Sequence, residues 1–180
     1  MNAFIKGEGM PKIIENVREQ LLSEAERQVR ELGYAKTTIR SVAGACGLGV
    51  GTVYNYFSSK DMLVASFMLE DWQMTLDKMR ECDMTDPRTL LCSVYESLSS
   101  FIALHKSLFC DPEAVKSFGA SHTEYHKLLR RQIADIVRPV LSKTTQNTDF
   151  LAEFVAENML TWTVEGKTFD DIYSIIKSII

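Results

Sequence analysis

Residues 47–60, GLGVGTVYNYFSSK, place three glycines within five positions, then three aromatic side chains within four, and no carboxylate. Thr52, Tyr54, Asn55 and Tyr56 offer hydroxyls, an amide and flat aromatic surface, the groups that read base edges, donate to phosphate or touch a thymine methyl. Gly49 and Gly51 leave bare backbone on either side of Val50, and amide groups at a helix start favour an anion through the helix dipole. Lys60 adds a cation just beyond. An acid on this face would repel a phosphate backbone, so the residue types point to recognition of a polyanion.

The same bias extends upstream. Residues 34–60 contain Lys36, Arg40 and Lys60 and no Asp or Glu, whereas residues 61–180 carry 12 basic and 18 acidic side chains. The net charge of −4 therefore averages a positive end with an acidic body, a pattern that confines anion binding to one end of the molecule.

Catalytic chemistry has no comparable support. There is no GxSxG or GxxxxGK[ST] motif and no nucleophile and base that sequence alone assembles, so the chain is expected not to be an enzyme and to need no cofactor. His122 and His126 are four apart on one helical face, a spacing that can hold a metal, but no HExxH acid or cysteine accompanies them; the expectation is two solvent-facing histidines and no metal. Cys46, Cys82, Cys92 and Cys110 lie 36, 10 and 18 residues apart without a CxxC, which reads as reduced, mostly buried thiols.

With 180 residues, 46% of them hydrophobic, the chain can bury a substantial core. Nearly every segment has helical periodicity. Ile13, Ile14, Val17, Leu21, Ala25, Val29 and Leu32 define one face of a helix from Lys12 to Leu32 that Gly33 closes. Thr38 caps a two-turn helix ending at Cys46 and Gly47, and Val50, Val53 and Phe57 form the inner face of a third, equally short one. Ser58 with Asp61 reads as the capping box of a long fourth helix. Asp86-Pro87 and Asp111-Pro112 start helices, as do Ser121 with Glu124 and Thr168 with Asp171, and residues 142–149 are a polar loop. No strand candidate is found. The fold class is therefore all-α with about nine helices: a three-helix N-terminal domain over 1–60, running into helix four to about 70, and a helical domain over 61–180. The N-terminus lacks a signal-like apolar segment and no stretch reads as membrane-spanning, so a soluble, cytoplasmic chain is expected.

Two short helices joined through CGLG match the helix-turn-helix arrangement, in which the second helix lies in the DNA major groove. In the stretches GYAKTTIRSVAGACG and GLGVGTVYNYFSSKDML, the sequence from about 12 to 70 resembles the N-terminal domain of TetR-type transcriptional regulators. The resemblance implies that Thr52, Tyr54, Tyr56 and Lys60, with Arg40 of helix two, contact DNA; Thr38, Gly49, Val50, Gly51 and Asn55 complete the expected DNA-binding set. It implies a homodimer on a palindromic operator that represses a promoter until a small-molecule ligand releases it. The sequence departs from the family's usual pattern at Gly49, commonly Ser, at Val50, often polar or basic, and at Ser41, often acidic. These departures weaken the expected capping of the third helix and reduce polar base contacts.

From about 81 onward the likeness is one of architecture. Ile172, Ile175, Ile176, Ile179 and Ile180 cover more than one stripe of the last helix, which with Phe150, Leu151, Phe154, Val155, Met159 and Trp162 gives either intrachain burial or a four-helix dimer interface. The dimer reading selects Phe154, Met159, Trp162, Ile172, Ile176 and Ile179. Trp72, Met79, Phe101, His105, Tyr125 and Trp162 are candidates to line a ligand cavity, although a plain core would have the same composition. Two other functions fit the same residues: an architectural DNA-binding protein of this fold, and a ligand-binding dimer whose DNA binding has decayed.

Overall fold

The computed structural model describes residues 16–82, 85–119, 122–141 and 148–180, apart from the side chains of His122 and Thr123. Among these it contains ten helices and no strand: α1 (Val17–Leu32), α2 (Ile39–Ala45), α3 (Val50–Tyr54), α4 (Lys60–Arg80), α5 (Pro87–Leu104), α6 (Lys106–Phe109), α7 (Pro112–Phe118), α8 (His122–Leu141), α9 (Thr148–Val164) and α10 (Phe169–Ile176). The all-helical class expected from periodicity holds, with one helix more than expected. The addition is α6, a single turn that begins where His105 breaks α5.

Local signals account for most boundaries. The Asp86 and Asp111 carboxylates accept backbone N–H bonds at the starts of α5 and α7, each with proline in the first turn. Thr168 and Asp171 form a reciprocal capping box on α10. Gly33 and Gly47 adopt φ of +87° and +66°, which side chains other than glycine rarely tolerate. Two expectations are corrected. The cap of α4 is Ser59, whose hydroxyl accepts from the Met62 N–H, and not Ser58. Phe57 lies beyond α3, which ends at Tyr54, although its ring is still buried. The start expected at Lys12, the Ser121 cap and most of the 142–149 loop fall outside the described residues.

Two hydrophobic cores share α4, which at 21 residues spans about 30 Å. The first joins Leu21, Leu22, Ala25 and Val29 of α1 to Val42, Val53, Phe57 and, from the start of α4, Leu63, Val64 and Phe67. The second gathers Trp72, Leu76 and Met79 of α4 with the inner faces of α5, α8, α9 and α10. Met68 packs against both. Leu108 of α6 and Ala114 of α7, far along the chain, are buried in the first core, so this segment lies on the N-terminal helices. Helices α8 and α9 run antiparallel, since Arg138 pairs with Asp149, Arg130 with Glu153, and His126 with Glu157. No described helix is long and apolar enough to cross a membrane.

Candidate nucleic-acid interface

Helix α2 is fixed by polar bonds before any partner arrives. Thr38 accepts from the Ser41 N–H and the Ser41 hydroxyl accepts from the Thr38 N–H, each at 3.0 Å. Ser41 also donates to Oε1 of the buried Gln28 at 2.6 Å, and Gln28 donates to Glu24 at 2.7 Å. A serine where an acid often stands therefore closes the capping box and ties α2 to α1.

Turning at Gly47, the chain enters α3 with Val53 and Phe57 facing inward. The opposite side presents Tyr54, 54% exposed, and Tyr56, 47% exposed, beside exposed Asn55 and half-buried Thr52. Exposed Thr38 and Arg40 complete the surface from α2. Gly49 caps α3 without a side-chain bond; a Cβ there would meet only Thr52 Oγ1 at 3.8 Å, and one at Gly51 would meet nothing within 4 Å. Internal packing thus makes no demand for glycine at 51, and the bare backbone faces solvent.

Lys60 is placed differently from the other expected contacts. Its ammonium donates to the Tyr34 carbonyl at 3.0 Å and sits 3.7 Å from the centroid of the Tyr34 ring. The acid-free window of residues 34–60 is thus closed at this end by carboxylates that lie outside it in sequence: Asp61 accepts from the Tyr34 phenol, and Asp111 accepts from the Ala35 N–H.

In the second core the expected ligand-lining residues separate. Trp72, Met79, Phe101 and His105 are buried, with Trp72 edge-on to Phe101 and Phe101 edge-on to His105. Tyr125 and Trp162 stand exposed on α8 and α9 and do not join that buried set. A partly open void beside His105, lined by Glu26, Val29, Arg30, Phe67, Leu104, Ser107 and Leu108, measures about 10 Å³, room for about one water, and lies against α1 and α6 instead of among Trp72, Met79 and Phe101. His105 Nε2 lies 3.1 Å from Asp71 Oδ2 without hydrogen-bond alignment. Burial pushes the imidazole down and the Asp71 carboxyl up, so both directions oppose a charged pair.

The expected dimer residues also divide. Phe154, Trp162 and Ile179 are exposed, but Met159 at 0% exposure, Ile172 and Ile176 are buried in the chain's own core and offer no side chain to a partner. Periodicity marked them as apolar without showing which neighbour covers them. Phe150, named beside the expected interface, is exposed on α9, and Tyr125 and Leu128, exposed on α8, were not expected there. His126 bonds Glu157 at 3.0 Å, and no group of three metal-binding side chains occurs among the described residues.

Comparison with known proteins points to the same segment. Residues 21–67 match the family model of bacterial regulatory proteins, tetR family. The HTH-type transcriptional regulator HbdR of Aromatoleum sp. is 32% identical over 85 residues, 46% of this chain and 37% of its own. The HTH-type transcriptional repressor Rv1474c of Mycobacterium tuberculosis is 28% identical over 141 residues, 72% of this chain and 75% of its own. The chain thus spans little more than a third of the first relative's length and three quarters of the second's. In fold, a crystal structure of a transcriptional regulator from Rhodococcus sp. Rha1 superposes with a TM-score of 0.62 at 17% identity, covering 91% of this chain and 95% of that one. The acid-free face of α2 and α3 lies within residues 21–67, the segment that matches the tetR family model, and the chain is similar to helix-turn-helix transcriptional regulators.

Proposed function

We propose that the protein is a homodimeric repressor that lays α3 in the major groove of each half of a roughly palindromic operator and is released by a small-molecule ligand. The observation that carries the reading is the exposed surface of Thr38, Arg40, Thr52, Tyr54, Asn55 and Tyr56, which offers donors and aromatic rings and no carboxylate. Base contacts come from Thr52, Asn55 and the two tyrosines; Arg40 and the bare backbone at Gly49, Val50 and Gly51 meet phosphates. The protein works in the cytoplasm, where its operator is.

The dimer forms through α8 and α9. Phe150, Phe154, Trp162, Tyr125 and Leu128 expose large apolar groups on this antiparallel pair, and a two-fold copy covers them by the same surface. The ligand acts on the second core near Trp72, Phe101 and His105. Trp72 packs edge-on to Phe101 and Phe101 edge-on to His105, so binding opens this aromatic cluster and moves α4, which also reaches the first core.

The test is selection of binding sequences from random duplex DNA by the full-length protein at one stated salt concentration, since phosphate contacts make affinity fall steeply with salt. The proposal predicts one palindromic motif with half-sites about one helical turn or slightly more apart. Uniform recovery of all sequences would favour an architectural role instead.

A further inference from the structure

Tyr34 is the point at which the end of α1, the start of α4 and α7 are fastened together at the first core. It follows α1 in the turn opened by Gly33, and it is only 2% exposed. Its phenol donates to Asp61 of α4 and is hydrogen-bonded to the Ser117 hydroxyl of α7 at 3.2 Å. Phe118 of α7 packs edge-on against its ring at 5.9 Å. The next residue, Ala35, donates its N–H to Asp111 Oδ2 at 3.4 Å, while Asp111 Oδ1 caps α7 through the Glu113 and Ala114 N–H groups. Lys60 completes the junction, with its ammonium on the Tyr34 carbonyl and over the ring.

This environment differs from that of a phosphate-binding lysine. A phosphate contact needs an ammonium facing solvent with its charge uncompensated. Here Asp61 and Asp111 meet the same turn, and Glu113 is close enough to act on the Tyr34 phenol. Burial, the Asp61 hydrogen bond and these negative charges together push the Tyr34 phenol up to about 12. Lys60 is the cation that this acidic junction requires.

We propose that Tyr34 and Lys60 are positioning residues for DNA binding: they latch α7 to the turn leading into α2, and Lys60 does not contact a phosphate. The latch fixes the turn that leads into α2, and so the placement of α2 and α3, against α4 and α7 within the first core. The proposal rests on the DNA-binding reading above and reassigns one of its expected contacts.

Salt dependence separates the two roles of Lys60. A lysine that neutralises a phosphate releases a counterion, and its loss flattens the slope of log affinity against log salt by about one; a positioning residue lowers affinity at every salt and leaves the slope alone. The full-length protein is titrated with the selected duplex over a salt series, comparing wild type, Lys60→Ala, Ser117→Ala and the double variant, with Arg40→Ala as the phosphate-contact reference. Ser117 is exposed, so its substitution removes one hydrogen bond without opening a cavity. The expected result is a roughly three- to tenfold loss for Lys60→Ala and for Ser117→Ala, the size of one hydrogen bond, with unchanged slopes and less than additive loss in the double variant. Cooperative thermal unfolding of each variant accompanies the titration. A slope flattened by about one in Lys60→Ala, or wild-type affinity in Ser117→Ala, overturns the latch. A wild-type protein that binds no duplex overturns the DNA-binding reading, and the latch with it.

Discussion

Both α3 and the α8–α9 pair hold large aromatic side chains out in solvent, yet their surroundings differ in charge. Around Tyr54 and Tyr56 the rings carry hydroxyls, and the neighbouring groups are Thr52, Asn55 and Arg40, with no carboxylate on the face. Around Phe150, Phe154 and Trp162 the phenyl rings carry no polar group, the indole N–H donates to Asn158 Oδ1 at 3.1 Å, and Glu153 and Glu157 are tied to Arg130 and His126. An aromatic group exposed among uncompensated donors suits a polyanion. One exposed among neutralised ion pairs suits a protein surface of the same composition, here a second copy. On the proposed function, the charge beside an exposed aromatic group, more than its exposure, distinguishes the two partners.

Placing an acid on each surface in turn should break the two functions separately. Thr52→Glu puts a carboxylate on the polyanion face, where like charge costs several kcal/mol, on the order of 3 or more. It should abolish operator binding in a gel-shift titration while the protein stays dimeric. Phe154→Glu should do the reverse. Loss of a central aromatic anchor costs about 2 kcal/mol or more, present twice in a two-fold interface, so sedimentation should show monomers at concentrations where the wild type is dimeric. If either acid produced the other's effect, the assignment of surfaces would be wrong.

Ser41→Ala should cost about 1–2 kcal/mol by removing the reciprocal cap of α2 and the partner of buried Gln28. Denaturant unfolding should show that loss, with α8–α9 association unchanged. The smallest effect concerns pH. Burial pushes the Glu157 carboxyl up, but the His126 imidazole, the Thr161 hydroxyl and Arg130 together hold it below its usual value of 4.5. A depressed carboxylate stabilises the fold above its unfolded-state value, and that contribution is lost as pH falls from about 4.5 through the folded-state value. Thermal midpoints of Glu157→Gln and wild type should therefore be separated above about pH 4.5 and converge as the pH falls through the lowered folded-state value; a constant offset would show that Glu157 contributes nothing that titrates.

Much of this was legible in the sequence because it is local. Asp-Pro pairs, Thr168 with Asp171, and glycines at positive φ state their own structural reasons within a few residues. The acid-free window was legible for the same reason. What periodicity left open was cover. It marked Met159, Ile172 and Ile176 as apolar, but packing against α4, α5 and α8 decides that they face inward. It gave no hint that Leu108 and Ala114, remote in sequence, complete the first core. Lys60 is the sharpest case: the family resemblance implied a DNA contact, and nothing near it in sequence showed that its ammonium also bonds the carbonyl of a tyrosine 26 residues earlier.

The central claim is that the outer face of α3 binds DNA while α8 and α9 hold two copies together. Sedimentation of wild type and Tyr54→Ala, each alone and with the selected duplex, tests both parts in one series. The account predicts a wild-type complex of two protomers per duplex, and a Tyr54→Ala protein that remains a dimer and sediments apart from the DNA. A Tyr54→Ala protein that co-sediments with the duplex at wild-type affinity would contradict it.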